Sequence, residues 1–196
     1  MKLFYLMGKS ASGKDTIYKK LMEREGLSLK ALVPYTTRPI RSGEVDGKDY
    51  HFSTVEELES LKEAGRVIEH RTYHTVHGDW HYFTVAEISR EEAVKNAEQY
   101  IAIGTPESYG KILEYYGKEI CRPIYICLDD GERLSRALTR ERSQKEPKYK
   151  ELCRRFLADD EDFREEVLKE LQIDRQFENN DLKETVENIA SYIMQE

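Results

Sequence analysis

The chain has 196 residues, 39% hydrophobic and 35% charged, with a formal net charge of −7. That length and apolar content fit one domain with a sizeable core rather than two independent ones. The acidic balance gives no support for a general nucleic-acid binder, and no apolar run is long enough to span a membrane. Met1 and Lys2 lead straight into an apolar run, so no signal peptide is expected. Cys121, Cys127 and Cys153 are too few and too far apart for close metal spacing. A cytoplasmic protein with reduced thiols is expected.

Leu3 to Met7 is a short apolar run, read as a buried strand. Gly8-Lys9-Ser10-Ala11-Ser12-Gly13-Lys14 follows, and then a helical pattern with Ile17, Leu21 and Met22 apolar. Strand, glycine-bounded loop and helix is the setting of a phosphate-binding P-loop. Gly8 and Gly13 allow a tight turn and close approach of backbone N–H groups to an anion. Lys14 brings a full charge to the outer phosphates of a nucleoside triphosphate such as ATP. The usual pattern has Ser or Thr directly after the lysine, to hold magnesium; here Asp15 stands there and Thr16 comes one place late. A carboxylate is a good hard ligand, so Asp15 is the candidate Mg²⁺ ligand.

Leu29 to Val33 reads as a second strand, and 34–52 is rich in turns. Arg38 and Arg41 sit close together there; a pair of forked guanidinium groups suits a phosphate, and Tyr50 adds a hydroxyl. Ser53-Thr54-Val55-Glu56 reads as a capping box opening a helix that Gly65 ends. Arg66 to His70 reads as a strand, Val85 to Ala97 as a helix, Tyr100 to Gly104 as a strand and Pro106 to Tyr116 as a helix. Pro123 to Leu128 is another strand, and Asp129-Asp130-Gly131 turns into a helix carrying Arg133, Arg136, Arg140 and Arg142. Ser143 to Lys150 is a polar loop before a return helix with Arg154 and Arg155. Arginines on both sides of such a hairpin are what a closing lid over a transferring phosphoryl group requires. Glu161 to Glu170 reads as a solvated acidic helix, and Asp181 caps a last helix with Leu182, Val186, Ile189 and Ile193 inward. His70, His74, His77 and His81 lie close enough to invite a metal reading, but no cysteine or clear carboxylate set completes a site.

The run TTRPIRSGEVDGKDYHF, Thr36 to Phe52, resembles the GMP-binding segment of guanylate kinases, in the right order after the P-loop. The resemblance covers nearly the whole chain. It implies an α/β P-loop NTPase fold with a parallel core sheet (1–33, 85–135 and 157–196), a β-rich monophosphate-binding insertion (about 34–84) and a helical lid (about 136–156). By resemblance, Arg38, Arg41 and Tyr50 hold the phosphate of a nucleoside monophosphate. Tyr35 replaces the family's base-contacting serine. Glu69, matching the glutamate of the family's FIE strand, accepts hydrogen bonds from guanine N1–H and the 2-amino group. Aligning Gly78 with the family's GNYYG puts His81 at the second tyrosine, another phosphate contact. Ala102 and Gly104 stand where the family carries the aspartates of an LDID-like strand. Arg136 or Arg140, and Arg155, match the lid arginines, and Asn179 fits the asparagine near the ATP adenine.

The expected activity is ATP + GMP ⇌ ADP + GDP with Mg²⁺, by a monomer or homodimer without a nucleic-acid or membrane partner. Two alternatives stay open. One is a related phosphotransferase with another acceptor, favoured by the changes at Tyr35, His81, Phe83, Ala102 and Gly104. The other is a catalytically silent module, disfavoured by Lys14 and the lid arginines.

Overall fold

The computed structural model describes residues 1–41, 43–75 and 78–196. The chain opens with β1 (Lys2–Met7), α1 (Lys14–Met22) and β2 (Leu29–Ala31). Next come β3 (Tyr35–Thr36), β4 (His51–Phe52), α2 (Val55–Glu63), β5 (Val67–Thr75) and β6 (Gly78–Val85). They are followed by α3 (Arg90–Lys95), β7 (Gln99–Gly104), α4 (Pro106–Tyr116) and β8 (Cys121–Cys127). The remainder is α5 (Asp130–Arg142), α6 (Tyr149–Asp162), α7 (Glu165–Glu170), β9 (Gln176–Glu178) and α8 (Leu182–Gln195).

Two sheets result: a five-stranded sheet in the order β2-β7-β1-β8-β9, and a four-stranded sheet in the order β4-β3-β6-β5. Every pairing in the first is parallel. β1 is central and covered on both faces, which is why it reads as a continuous apolar run instead of an alternation. Leu3, Tyr5 and Met7 point into a cluster with Tyr109, Ile112 and Tyr116 of α4. Phe4 and Leu6 point the other way, onto Ile17 and Leu21 of α1 and Val186, Ile189 and Ile193 of α8. Each such fully buried aliphatic side chain contributes roughly 1.5–3 kcal/mol. The P-loop therefore leaves the carboxyl end of the most deeply buried strand, a rigid base for an anion site.

Local signals differ from the expectations at three places. The cap of α2 is Thr54, whose hydroxyl accepts from the Glu57 amide, so the cap falls one residue after Ser53. Val85 does not open a helix: it is buried at the end of β6 against Phe83 and Leu58, and α3 starts only after Ser89, which forms a capping box with Glu92. The acidic stretch after Glu161 is split, because α6 ends at Asp162 where Phe163 turns into the core, and α7 begins at Glu165. The remaining caps follow their chemistry: Pro106 stands at the first turn of α4, and Asp129 and Asp181 accept amide hydrogen bonds at α5 and α8.

Candidate active site

The P-loop bends through left-handed backbone at Ala11 (φ 64°) and Gly13 (φ 93°), immediately before the N-terminus of α1. A Cβ on Gly13 would lie 2.3 Å from Asn179 Nδ2. A Cβ on Gly8 would lie 2.8 Å from the Ile126 carbonyl oxygen. Both glycines are therefore demanded by close approach, and the second by its φ as well. Asn179 is 2% exposed and donates from Nδ2 to the Ser12 carbonyl oxygen at 2.7 Å. It braces the loop from beneath.

A second brace comes from the helical hairpin. Arg133 is buried and donates to the Ser10 carbonyl oxygen at 3.0 Å, to Asp159 at 3.2 Å and to Asp130 at 2.7 Å. Its guanidinium also lies over the Phe156 ring. Asp159 accepts from the Ser10 amide at 2.8 Å, and Lys9 pairs with Asp160 at 2.7 Å. The Arg133 guanidinium holds the Asp130 carboxyl below its ordinary range. Of the arginines on α5, Arg133 is thus structural, whereas Arg140 faces open space beside Arg136, which donates to the Asn179 carbonyl oxygen at 3.2 Å.

That space is a cleft of ≈ 620 Å³. It is lined by Lys9, Ser10, Ala11, Gly13, Lys14, Asp15 and Thr16 of the P-loop segment, by Arg136, Arg140 and Arg155, and by Asn179. Gly8 and Ser12 lie underneath, and among the described residues Ser12 Oγ and Asn179 Oδ1 are buried without a hydrogen-bond partner. A strongly cationic cleft at the N-terminus of a helix is suited to a polyphosphate.

A second cleft of ≈ 520 Å³ shares Lys14 and Asp15 with the first. Its wall is the inner face of the β5–β6 hairpin. The antiparallel register pairs Glu69 with Thr84, Arg71 with Tyr82 and Tyr73 with Trp80, and all six side chains line the cleft. Arg41 and Tyr50 close one side, and Tyr5 and Gly104 form the floor. Glu69 is 5% exposed; its two carboxylate oxygens accept from Thr84 Oγ1 at 2.9 Å and Arg71 Nε at 3.0 Å.

Three residues expected at the acceptor site lie elsewhere. His81 has the opposite parity to Trp80 and Tyr82, so it faces away and hydrogen-bonds His70 at 2.9 Å. Tyr35 pairs with Phe83 across β3–β6 and stacks on it with centroids 5.2 Å apart, on that same far side. Arg38 is buried behind the cleft wall. Its guanidinium forks onto Glu44 at 2.6 and 2.7 Å, Nε donates to the Tyr82 hydroxyl, and the group lies 4.9 Å from the Tyr50 ring centroid. This fork holds the Glu44 carboxyl down at about 2. Arg41 and Tyr50 do line the cleft. Ser42 of the same motif, and His77 of the histidine quartet, lie outside the described residues. Among the described residues there is no group of three His, Cys, Asp or Glu side chains placed to hold a metal.

Gly104 has a compensating neighbour. A Cβ there would lie 2.2 Å from the Tyr5 hydroxyl and 2.7 Å from Ser108 Oγ, which are themselves 2.8 Å apart. The Tyr5 phenol occupies the volume a side chain at 104 would need, and burial keeps it protonated. Tyr5, Arg71, Trp80, Tyr82 and Thr84 line the cleft as well, beyond the residues expected there. The alternation along β5 and β6 was the signal that could have found all but Tyr5.

A sequence model described as guanylate kinase matches residues 1–196. The guanylate kinase of Oceanobacillus iheyensis is 46% identical over 71 residues, 36% of this chain and 34% of that protein. That of Chlorobium luteolum is 39% identical over 89 residues, 45% and 43% of the two chains. That of Paraburkholderia xenovorans is 28% identical over 156 residues, covering 80% and 64%. The matched stretches thus span less than two thirds of these relatives' length. The crystal structure of guanylate kinase from Anaplasma phagocytophilum superposes with a TM-score of 0.65 at 22% identity, over 99% of this chain and 85% of that one, which establishes the fold. With the family pattern matched from end to end on the P-loop NTPase fold, the chain belongs to the guanylate kinase family.

Proposed function

We propose that the protein is a nucleoside-monophosphate kinase that transfers the γ-phosphoryl group of ATP to GMP. The observation that carries this is the meeting of two clefts at Lys14 and Asp15, one cationic and lined by the P-loop, the other holding a buried carboxylate between aromatic walls. Phosphoryl transfer needs two oxygens brought in line and charge neutralised between them, with no covalent enzyme intermediate.

On this reading the P-loop amides and Lys14 hold the β- and γ-phosphates of ATP. Arg136, Arg140 and Arg155 approach from the hairpin and neutralise charge on the transferring group while excluding water. Arg41 and the Tyr50 hydroxyl hold the acceptor phosphate, and Arg38 fixes Tyr50 and Tyr82 from behind. Glu69 takes the base, since each of its oxygens keeps a lone pair after serving Thr84 and Arg71.

The family implies Mg²⁺, and the residues present fit it: the Asp15 side chain is 74% exposed and lines both clefts. One carboxylate together with substrate phosphates is a usual magnesium environment. Lys14 Nζ lies 3.2 Å from this carboxylate, which keeps both groups at the junction. Bound there, the ion would offset charge between the phosphates of the two substrates.

The test is ADP formation from Mg·ATP across GMP, dGMP, AMP, CMP and UMP. The expected result is turnover confined to guanine nucleotides and lost in Glu69→Ala. Binding of ATP without turnover of any of these would overturn the acceptor assignment. It would favour a phosphotransferase with a different acceptor, the reading that the Tyr5 phenol above Gly104 supports. Failure to bind Mg·ATP would instead favour a silent module.

A further inference from the structure

Resting on that reading, we infer that Arg71 is a specificity contact: it donates to the O6 acceptor of the guanine whose N–H groups Glu69 accepts. The two residues are two apart on β5, so they share a face, and both line the second cleft. Arg71 Nε donates to Glu69 Oε2 at 3.0 Å. Among the described residues the terminal nitrogens of this guanidinium have no hydrogen-bond partner. The side chain is only 21% exposed, so these N–H donors are partly withdrawn from water without protein acceptors to replace it.

The pair therefore offers acceptors and donors next to each other in one cleft. Guanine is complementary to that order. Its edge presents the 2-amino and N1 donors and, next to them, the O6 acceptor, which arginine recognises well. Adenine presents its 6-amino donors where guanine has O6. Arg71 would then face like donors, and Glu69 would face a lone pair at N1, so the same two side chains reject adenine while selecting guanine. A role limited to neutralising Glu69 would not require the terminal nitrogens to stay unpaired toward the cleft.

The experiment compares GMP with 6-thioguanosine monophosphate, which keeps both base donors and replaces O6 by the weaker acceptor sulfur. Both are assayed with wild type and with Arg71→Met, which retains the stem and removes the donors. The wild-type preference for GMP should collapse toward one in R71M. kcat/KM for GMP should fall roughly 10- to 100-fold, while KM for Mg·ATP stays within about twofold as a check on folding. Equal losses for the two nucleotides would overturn the inference and leave Arg71 as a positioning residue for Glu69. Unchanged GMP kinetics would overturn it outright. If R71M does not fold, Arg71→Lys serves, and the ratio should lie between wild type and one; a wild-type ratio overturns the inference. Wild-type protein that neither binds nor turns over GMP overturns the GMP assignment and the inference together. The variant results, by contrast, bear on Arg71 alone.

Discussion

Gly13→Ala tests the P-loop geometry at the point with least room. Gly13 has φ of 93°, and a Cβ built on it lies 2.3 Å from Asn179 Nδ2. A left-handed conformation costs an ordinary residue roughly 1–2 kcal/mol. Moving the Asn179 amide aside breaks its 2.7 Å hydrogen bond to the buried Ser12 carbonyl, a further loss of about 1–3 kcal/mol. Urea denaturation should then show G13A destabilised by about 2–5 kcal/mol with an unchanged m-value. The two contributions separate in a double-mutant cycle. Asn179→Ala removes the clashing atom along with the hydrogen bond, so in G13A/N179A only the backbone contribution of Gly13 remains. The double variant should fall short of the sum of the singles by roughly 1–3 kcal/mol. A G13A protein within about 0.5 kcal/mol of wild type, or additive effects, would refute this account of the loop.

Three further outcomes follow from the same structure. Lys14→Met should lower kcat by about 100-fold or more, leaving guanine-nucleotide binding by titration unchanged, because the group is assigned to transferring phosphates and not to the base. Arg133→Met should destabilise by roughly 3 kcal/mol in urea titrations, since it strands Asp159 beside the P-loop without its buried partner; a change under about 1 kcal/mol contradicts the brace. The Arg38–Glu44 pair predicts a pH signature. With the Glu44 carboxyl held at about 2 instead of its ordinary 4.5, its contribution is complete above about pH 4.5 and is lost as pH falls through about 2. The thermal midpoint of Glu44→Gln should lie below wild type by a constant margin near neutrality, and the gap should close on acidification; a gap that widens would contradict the pairing.

Much of this was legible in the residues themselves. The apolar run Leu3–Met7, followed by Gly8, Gly13 and Lys14, specifies strand, loop and helix because each step has its own local chemistry. Arg136, Arg140 and Arg155, read from the hairpin pattern, line one cleft with Lys14. The acceptor side was read less well. Parity along β6 sends Trp80, Tyr82 and Thr84 inward and His81 and Phe83 outward. An alignment through Gly78 fixes the order of residues but not which of them shares a face with Glu69. Arg38 does not line the cleft for another reason: its partner Glu44 lies six residues on, and nothing local says that the fork closes inside the loop. Tyr5 belongs to the core by hydrophobicity, and only the packing of β1 against β7 shows its hydroxyl standing over Gly104. Val85 and its apolar neighbours also fit a helical period; tertiary burial beside Leu58 and Phe83 decides for strand.

The central claim is that an ATP cleft and a GMP cleft open onto the same lysine. The most direct measurement is calorimetric titration with adenosine and guanosine joined through five phosphates, set beside ATP and GMP alone. If the clefts meet at Lys14, the joined ligand fills both at once and binds at least about 100-fold more tightly than either nucleotide, with the gain lost in Glu69→Ala. Affinity no better than that of ATP alone, or a gain that survives Glu69→Ala, would contradict the account.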